Sequence, residues 1–124
     1  MNETSPLVSV IIPYFNAAET ILRTLQSVAE STYKNLEVIT VNDRSEDDSA
    51  DIVAAQAGRH ISMVRRSGAA VARNVGAKAA VGSIYFFVDA DVTVQPETIE
   101  RAVESFRRDP SLDACFGEYT VFPY

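Results

Sequence analysis

Short apolar segments, rich in β-branched and aromatic residues, recur along this chain, and between them the apolar residues follow helical spacing. Three of the segments are LVSVIIPY, LEVITV and IYFFV, at residues 7–14, 36–41 and 84–88. Nearly continuous apolar runs of this length are typical of strands buried on both faces of a parallel sheet. Residues 61–64 predict a shorter strand. The alternation predicts an α/β chain, a three-layer sandwich with a mostly parallel central sheet and helices on both faces.

Capping signals mark the starts of the predicted helices. Asn16, followed three residues later by Glu19, has the form of a capping box, and Ser45 is a residue type that caps a helix start. Pro96 opens the last predicted helix, because proline is favoured in the first helical turn. The remaining predicted elements are helices over residues 48–57, 69–80 and 96–108 and a final strand over residues 112–117, with an extension to Phe122 left open.

Composition excludes several classes of protein. The chain has 124 residues, the size of one domain, so a single domain over residues 1–124 is expected. A formal net charge of −6 without a Lys/Arg cluster argues against a nucleic-acid partner. No apolar run reaches the length of a membrane span, and the first residues lack the features of a signal peptide. The lone Cys115 cannot form an intramolecular disulfide, and a cytoplasmic location is expected.

Polar residues follow the ends of all four predicted strands. The four segments are PYFN, VNDRSEDD, RRSGAAVARN and DADV. In open α/β sheets, ligands bind beyond the carboxyl ends of the strands, next to the point where the strand order reverses. The glycine patterns GxGxxG and GxxxxGK[ST] are absent from the sequence. Neither a dinucleotide-binding Rossmann site nor a P-loop is therefore expected at this edge.

Two aspartates, Asp89 and Asp91, interrupt the apolar stretch YFFVDADVTV. If the backbone stays extended there, their side chains project to the same side and the small Ala90 points away. Carboxylates repel a diphosphate, but a divalent cation binds carboxylate oxygens on one side and phosphate oxygens on the other. The pair therefore predicts a site for a metal-bound phosphate ligand. The alternative is a turn that caps the loop before the last helix.

Three long segments resemble, in order and in spacing, the N-terminal half of family 2 glycosyltransferases of the GT-A fold. They are VSVIIPYFNAAETILRTLQSV, LEVITVNDRSEDDSADIV and GAAVARNVGAKAAVGSIYFFVDADV, and the resemblance covers roughly residues 7–108. It implies a Rossmann-like nucleotide-sugar-binding domain that forms the N-terminal part of a longer enzyme. That enzyme would transfer a sugar from a nucleotide-diphospho-sugar, first of all a UDP-sugar, to an acceptor hydroxyl with inversion at the anomeric carbon.

The same resemblance implies a role for each matching residue of the nucleotide site. Pro13, Tyr14 and Asn16 would line the pocket for the base and the ribose, with Tyr14 packing near the base. Asp43 would accept hydrogen bonds from the edge of the uracil. Arg73, in the A-R-N block, would approach the base or the phosphates.

Asp89 and Asp91 match the D-x-D pair of the family. By resemblance, Asp89 would lie towards the ribose and Asp91 towards the metal, Mn²⁺ or Mg²⁺, which both carboxylates would help to bind. A carboxylate further along would deprotonate the hydroxyl of a saccharide or lipid-linked acceptor. For the full-length protein, a location at the cytoplasmic membrane face is left open. That base is expected beyond Tyr124, so this chain alone is expected to bind the donor and to transfer no sugar.

Two other functions remain open for the same residues. The sequence DADVTV also fits the phosphohydrolase motif of haloacid-dehalogenase-like enzymes, in which Asp89 would be the nucleophile and Asp91 the general acid/base. That motif normally follows the first strand of its domain, whereas three predicted strands precede it here. The second alternative is a nucleotide-binding module without catalytic activity, which an α/β fold alone does not exclude.

Three of the site residues also have a purely structural interpretation. Asp43 is a residue type found in turns and at helix starts. Arg73 on an alanine-rich helix is ordinarily a solvated charge. Tyr14 at the end of a strand is as often a core aromatic as a ligand-stacking ring.

Overall fold

The computed structural model describes residues 5–118. Within this range, four strands alternate with four helices. In chain order the elements are β1 (Val8–Tyr14), α1 (Ile21–Ala29), β2 (Leu36–Asn42), α2 (Ser49–Ala54), β3 (Arg59–Ser62), α3 (Ala69–Ala79), β4 (Ile84–Phe87) and α4 (Thr98–Arg108). Among the described residues, no helix is long and apolar enough to cross a membrane.

The four strands form one parallel sheet in the order β3-β2-β1-β4. Strand β1 is central, with Val8 opposite Leu36 of β2 on one side and opposite Ile84 of β4 on the other. The predicted α/β class with a mostly parallel sheet is confirmed. Successive strands are added on one side of β1 until β4, which lies on its other side, so the strand order reverses at β1. Ligand crevices of open α/β sheets lie at such a reversal.

The sheet separates two apolar cores of unequal size. Alternate residues of β1, from Val8 to Tyr14, face the larger core, which Ile21 of α1 and Ile99 of α4 complete. The smaller core lies under α3, where Ala72 contacts a cluster centred on Ile39 and Val41 of β2. Burial of β1 on both faces explains why its sequence is apolar almost without interruption.

Helix α3 packs directly on the sheet at residue 76, which has no side chain. A Cβ atom on Gly76 would lie 2.5 Å from Cγ2 of Ile11 and 3.3 Å from Cγ2 of Val41. Ala72, one turn earlier, is fully buried. Small residues on this face of α3 therefore set the height of the helix above the sheet, and with it the position of Arg73.

The capping predictions were wrong, although the helices they introduce are present. Helix α1 begins after Thr20 and helix α2 after Asp48, and neither residue forms a side-chain capping hydrogen bond. Asn16 instead has a positive φ of 50° and binds the loop after β2. Ser45 accepts a hydrogen bond from the backbone N–H of Asn16 at 2.9 Å. Both side chains join two loops to each other, a long-range use that local sequence spacing does not reveal.

Two strand predictions also need correction. Strand β3 spans Arg59–Ser62 and not residues 61–64, because its pairing with β2 ends opposite Asn42. Residues 112–117 form no strand; the N–H of Leu112 donates to the carbonyl of Asp109 in a turn that follows α4. No neighbouring strand among the described residues covers the apolar side chains there. The possible extension to Phe122 lies outside the described residues.

Candidate active site

A cleft of about 690 Å³ opens at the carboxyl ends of β1, β2 and β4, beside the reversal in strand order. The loops after β1 and β4, the end of β2 and the start of α3 form its walls. All the residues that the sequence predicted for the site line this cleft. The lining comprises residues 13–20, Asp43, Asp47, Arg66, Gly68, Ala69, Ala72, Arg73 and residues 89–91.

Asp43 is the most deeply fixed acid of the cleft. Its side chain is buried, and its two carboxylate oxygens accept hydrogen bonds from the backbone N–H groups of Ser67 at 2.7 Å and Gly68 at 2.9 Å. Its own N–H donates to the carbonyl of Tyr14 at 2.9 Å. Asp43 thus joins the end of β2 to the start of α3, a long-range contact that neither a turn nor a local helix start predicts. A carboxylate has about four lone-pair sites, so it can still accept hydrogen bonds from a ligand.

Arg73 and Asp89 form an ion pair across the cleft, with 3.0 Å between Nη2 of Arg73 and Oδ1 of Asp89. Both side chains are partly exposed, so the pair contributes only about 0–1 kcal/mol to stability. Arg73 is therefore not a solitary solvated charge. It connects α3 to the loop after β4 and places a cation beside the D-x-D pair.

The backbone of the D-x-D pair is a turn and not an extended segment. The N–H of Val92 donates to the carbonyl of Asp89 at 3.1 Å, and the hydroxyl of Thr24 donates to the carbonyl of Ala90 at 2.9 Å. The extended backbone on which the same-side projection of the two carboxylates depended is therefore absent, and the segment is a turn as in the alternative interpretation. The turn leaves both carboxylates exposed on the cleft wall, while helix α1 holds the backbone between them.

The charge of the cleft is predominantly negative. Five carboxylates line it, against the two guanidinium groups of Arg66 and Arg73. The acids are Glu19, Asp43, Asp47, Asp89 and Asp91. Within residues 5–118, no group of three or more His, Cys, Asp or Glu side chains is close enough to form a complete metal site. The oxygen donors match the preference of Mg²⁺ and Mn²⁺, and a cation here would need further oxygen ligands from outside the protein.

Asn16 organises the loop after β1 and does not point its side-chain carbonyl towards a ligand. The Oδ1 atom accepts hydrogen bonds from the N–H groups of Glu46 at 2.7 Å and Asp47 at 3.3 Å. Asp47 in turn accepts a hydrogen bond from the N–H of Ala18 at 3.1 Å. Hydrogen bonds from Ser49 and Ala18 hold the pKa of Asp47 below its usual value. These contacts join the loops after β1 and β2 into one unit, which forms one wall of the cleft.

Tyr14 is a core aromatic, as its structural interpretation predicted. It is buried in the larger core on the same face of β1 as Val8 and Ile12. Burial, with a smaller effect of the nearby negative charge of Asp47, raises the pKa of its phenol to about 12. Its ring can therefore contribute little more than the floor of the cleft.

Phe15 and Arg66 are cleft residues that the sequence reasoning missed. The guanidinium carbon of Arg66 lies 3.5 Å from the centroid of the Phe15 ring, and both side chains line the cleft. One signal was available for Phe15. Successive side chains of β1, from Val8 to Tyr14, alternate between the larger core and the opposite face of the sheet. Since Tyr14 faces the core, the side chain of Phe15 is expected to point away from it, near the end of the strand. No local pattern connects Arg66 to Phe15, which lies 51 residues away in the sequence.

A sequence profile described as "Glycosyl transferase family 2" matches residues 9–123. The chain belongs to glycosyl transferase family 2. Two curated relatives come from Escherichia coli. The uncharacterised glycosyltransferase YibD is 36% identical over 95% of this chain and 37% of its own length. WfaP, named as a UDP-Glc:alpha-D-GlcNAc-diphosphoundecaprenol beta-1,3-glucosyltransferase, is 40% identical over 68% of this chain and 35% of its own length.

Solved structures show the same fold for this family 2 chain. Staphylococcus aureus TarS in complex with UDP-GlcNAc superposes with a TM-score of 0.76 at 30% identity, over 82% of this chain and 31% of TarS. The mannosyltransferase PcManGT from Pyrobaculum calidifontis, in complex with GDP-Man and Mn²⁺, gives a TM-score of 0.81 at 30% identity, over 86% of this chain and 34% of PcManGT. The predicted GT-A type of α/β fold is confirmed. The chain spans about a third of the length of these proteins.

Proposed function

We propose that this chain is the donor-binding part of an inverting glycosyltransferase, and that its cleft binds a nucleotide-diphospho-sugar together with a divalent cation. The observation that carries the proposal is the acidic cleft at the strand reversal of a family 2 chain. Structures of similar fold contain UDP-GlcNAc in one case and GDP-Man with Mn²⁺ in the other. A UDP-sugar is the first candidate donor.

The base and the ribose are assigned to the wall formed by the loops after β1 and β2. Asp43 is fixed there by two backbone N–H groups and still has acceptor capacity for the edge of a base. Pro13 and Tyr14 form the floor, and Asn16 shapes the wall through its hydrogen bonds to residues 46 and 47. A preorganised acceptor costs little reorganisation when a ligand arrives, which favours binding.

The diphosphate and the cation are assigned to the opposite wall. Asp91, with Asp89, would hold Mn²⁺ or Mg²⁺, and the diphosphate oxygens would supply the ligands that the protein lacks. A bound cation would neutralise negative charge on the leaving nucleoside diphosphate. Asp89 would also contact the ribose, and Arg73, held at 3.0 Å from it, would add a positive charge beside the phosphates.

Sugar transfer itself needs a group that removes the proton from the acceptor hydroxyl. We assign this step to a carboxylate beyond Tyr124, so this chain binds the donor without turnover. The acceptor is a saccharide or a lipid-linked molecule, and a net charge of −6 argues against nucleic acid. The lone Cys115 supports a reducing, cytoplasmic setting, at the membrane face when the acceptor carries a lipid.

Titration calorimetry with UDP, GDP and ADP, each with and without Mn²⁺, tests this proposal. We expect binding of a nucleoside diphosphate that requires the metal and falls more than tenfold in the Asp91→Asn variant. Asp113→Asn removes the same charge from an exposed residue outside the cleft and should leave binding unchanged. Binding without metal, or no binding at all, would contradict the proposal. Binding with full sugar transfer by this chain would refute only the assignment of the base to residues beyond Tyr124.

A noncatalytic nucleotide-binding module would also bind nucleotide, so it needs a different test. Restoring the sequence that follows Tyr124 in the parent gene should convert metal-dependent binding into transfer from the matching UDP-sugar. A parent protein that binds the donor but never transfers sugar to any saccharide or lipid-linked acceptor would favour the module. The phosphohydrolase alternative requires a different family and a nucleophile after the first strand, whereas Asp89 follows β4.

A further inference from the structure

Helix α1 carries two hydroxyl groups among its buried side chains. Thr24 and Ser27 are both buried, together with apolar residues of the same helix such as Ile21 and Val28. Burying a hydroxyl costs free energy unless the group is hydrogen-bonded. The partners of these two hydroxyls therefore show what the two residues contribute to the molecule.

Both hydroxyls bind the loop that joins β4 to α4. Thr24 donates to the carbonyl of Ala90 at 2.9 Å. Ser27 accepts a hydrogen bond from the N–H of Val94 at 3.0 Å, and its own proton goes to the carbonyl of Thr24, one turn earlier, at 2.7 Å. These contacts fasten the loop to α1 at two points, which lie on either side of Asp91 in the sequence.

The two carboxylates of this loop differ in what holds them. Asp89 is paired with Arg73 at 3.0 Å. The carboxylate of Asp91 is exposed, and it forms no ion pair or hydrogen bond with any other residue in the range 5–118. The position of Asp91 therefore depends on its backbone. The carbonyl directly before Asp91 is the one to which Thr24 is bound.

We propose that Thr24 and Ser27 are positioning residues for the metal site, which hold the loop so that Asp89 and Asp91 can bind the same cation. Two carboxylates repel each other while no cation lies between them, and an unfastened loop would let them move apart. A loop that is fixed beforehand also loses less conformational freedom when a ligand binds. Neither hydroxyl lines the cleft, so both act through the loop and not by contact with the ligand. This inference rests on the proposed nucleotide-binding function.

A third hydroxyl binds the far end of the same loop and provides a matched control. The hydroxyl of Thr32 donates to the carbonyl of Pro96 at 3.1 Å, and the N–H of Thr32 donates to the same carbonyl at 2.8 Å. Its other contact, with Glu100 at 3.3 Å, is exposed. Without the hydroxyl, the N–H still holds Pro96. Thr32→Val therefore makes the same chemical change as Thr24→Val and should leave Asp91 in place.

The first measurement is the affinity for UDP in the presence of Mn²⁺, by titration calorimetry. Thr24→Val keeps the shape of the side chain and removes the hydroxyl. We expect it to weaken UDP binding about tenfold, as is usual when a group that orients a metal ligand is lost. Thr24→Ser retains the hydroxyl and should bind almost as well as the unaltered chain. Ser27→Ala should weaken binding by a smaller factor, because Val94 lies further along the chain from Asp91 than Ala90 does.

The second measurement needs no ligand. Hydrogen exchange of the ¹⁵N-labelled chain, followed by NMR, reports on the turn in which the N–H of Val92 donates to the carbonyl of Asp89. In Thr24→Val this N–H should exchange faster than in the unaltered chain, because the turn is no longer fastened to α1. In Thr32→Val its exchange rate should be unchanged.

Circular dichroism shows whether each variant is folded, and a folded variant of lower stability still tests the site. If the unaltered chain binds UDP and folded Thr24→Val binds it equally well, only this inference fails. An equal loss of affinity in Thr32→Val would also overturn it, since any loosening of the loop would then suffice. If Thr24→Val does not fold, unchanged binding by Ser27→Ala would overturn the inference. If the unaltered chain does not bind UDP in the presence of Mn²⁺, the proposed function fails and this inference fails with it.

Discussion

The two walls of the cleft are built in different ways. On the wall formed by β1, β2 and the start of α3, polar groups are hydrogen-bonded to backbone: Asp43 is buried and accepts hydrogen bonds from two N–H groups. On the wall after β4, the backbone is held by Thr24 of α1, but the carboxylates of Asp89 and Asp91 are exposed to the cleft. The first wall is complete without a ligand, whereas the second presents charges that a cation can bind.

Because of this difference, mutations in the two walls should have different consequences, a loss of stability in one and a loss of ligand affinity in the other. Removing a group from the complete wall should reduce the free energy of unfolding, because its backbone partners lose their acceptor. Removing a carboxylate from the open wall should reduce ligand affinity and leave the folded state almost unchanged. The predictions below compare the walls on both measures, in order of decreasing effect.

Asp43→Ala should give the largest effect, lowering the free energy of unfolding by about 3 kcal/mol, since the N–H groups of Ser67 and Gly68 both lose their hydrogen bonds to a charged acceptor. Urea denaturation followed by circular dichroism measures this difference. Asp113→Ala, at an exposed site, should change it by less than about 0.5 kcal/mol. An equal loss in the two variants would show that Asp43 does not hold the start of α3.

Gly76→Ala tests the scaffold that both walls share, because α3 carries Arg73 on one side and begins at the groups bound by Asp43. A methyl group there would meet the stiff, buried Ile11 at 2.5 Å. We expect a loss of about 2 kcal/mol in the free energy of unfolding from overpacking. Gly117→Ala has no atom within 4 Å of the new methyl group and serves as the control. Unchanged stability in Gly76→Ala would mean that α3 is not packed tightly on the sheet.

Asp89→Asn should separate the two measures on the open wall. The free energy of unfolding should fall by less than about 1 kcal/mol, because the ion pair with Arg73 is half-exposed. The affinity for UDP in the presence of Mn²⁺ should fall more than tenfold. A variant that unfolds much more easily but binds UDP normally would reverse the assignment of roles to the two walls.

Asp47 gives the smallest expected effect, a pH dependence on the complete wall. Hydrogen bonds from Ser49 and Ala18 keep the pKa of this carboxyl lower in the folded chain than the ordinary value of 3.8. A depressed folded-state pKa contributes stability above the unfolded-state value, and that contribution disappears as the pH falls through the folded value. The stability difference between the unaltered chain and Asp47→Asn should therefore be present at pH 5 and shrink below pH 3.8. A difference that is constant from pH 5 to pH 2.5 would contradict this.

The sequence predicted the strands well because burial on both faces leaves an unambiguous mark. Val8 to Tyr14 is apolar almost throughout, and its pairing with Leu36 to Asn42 in a parallel sheet follows from the helix between them. The predicted strand at residues 112–117 failed because apolar residues form a strand only where a neighbouring strand is available. The bounds of β3 depend on where its pairing with β2 ends, and the sequence of β3 alone does not contain that information.

For the site, the sequence predicted which loops line the cleft, but not the contacts that individual side chains make there. Asn16 and Ser45 have the residue types of helix caps, yet they bind each other's loops across 29 residues. For Tyr14 the sequence left two places open, beside the base or in the core, and the ring is buried in the core. Long-range contacts of this kind, including that of Arg66 with Phe15, depend on the tertiary fold and leave no local pattern.

The central claim is that the wall assigned to the base is complete without a ligand, and that the opposite wall binds the diphosphate through a cation. Two-dimensional NMR of the ¹⁵N-labelled chain, titrated with UDP in the presence or absence of Mg²⁺, tests it most directly. With Mg²⁺, UDP should shift the backbone signals of residues 89–92 and of residues 66–68. Without Mg²⁺, the same concentration should leave residues 89–92 unchanged. Equal shifts of residues 89–92 with and without the metal, or no shifts in either case, would contradict the account.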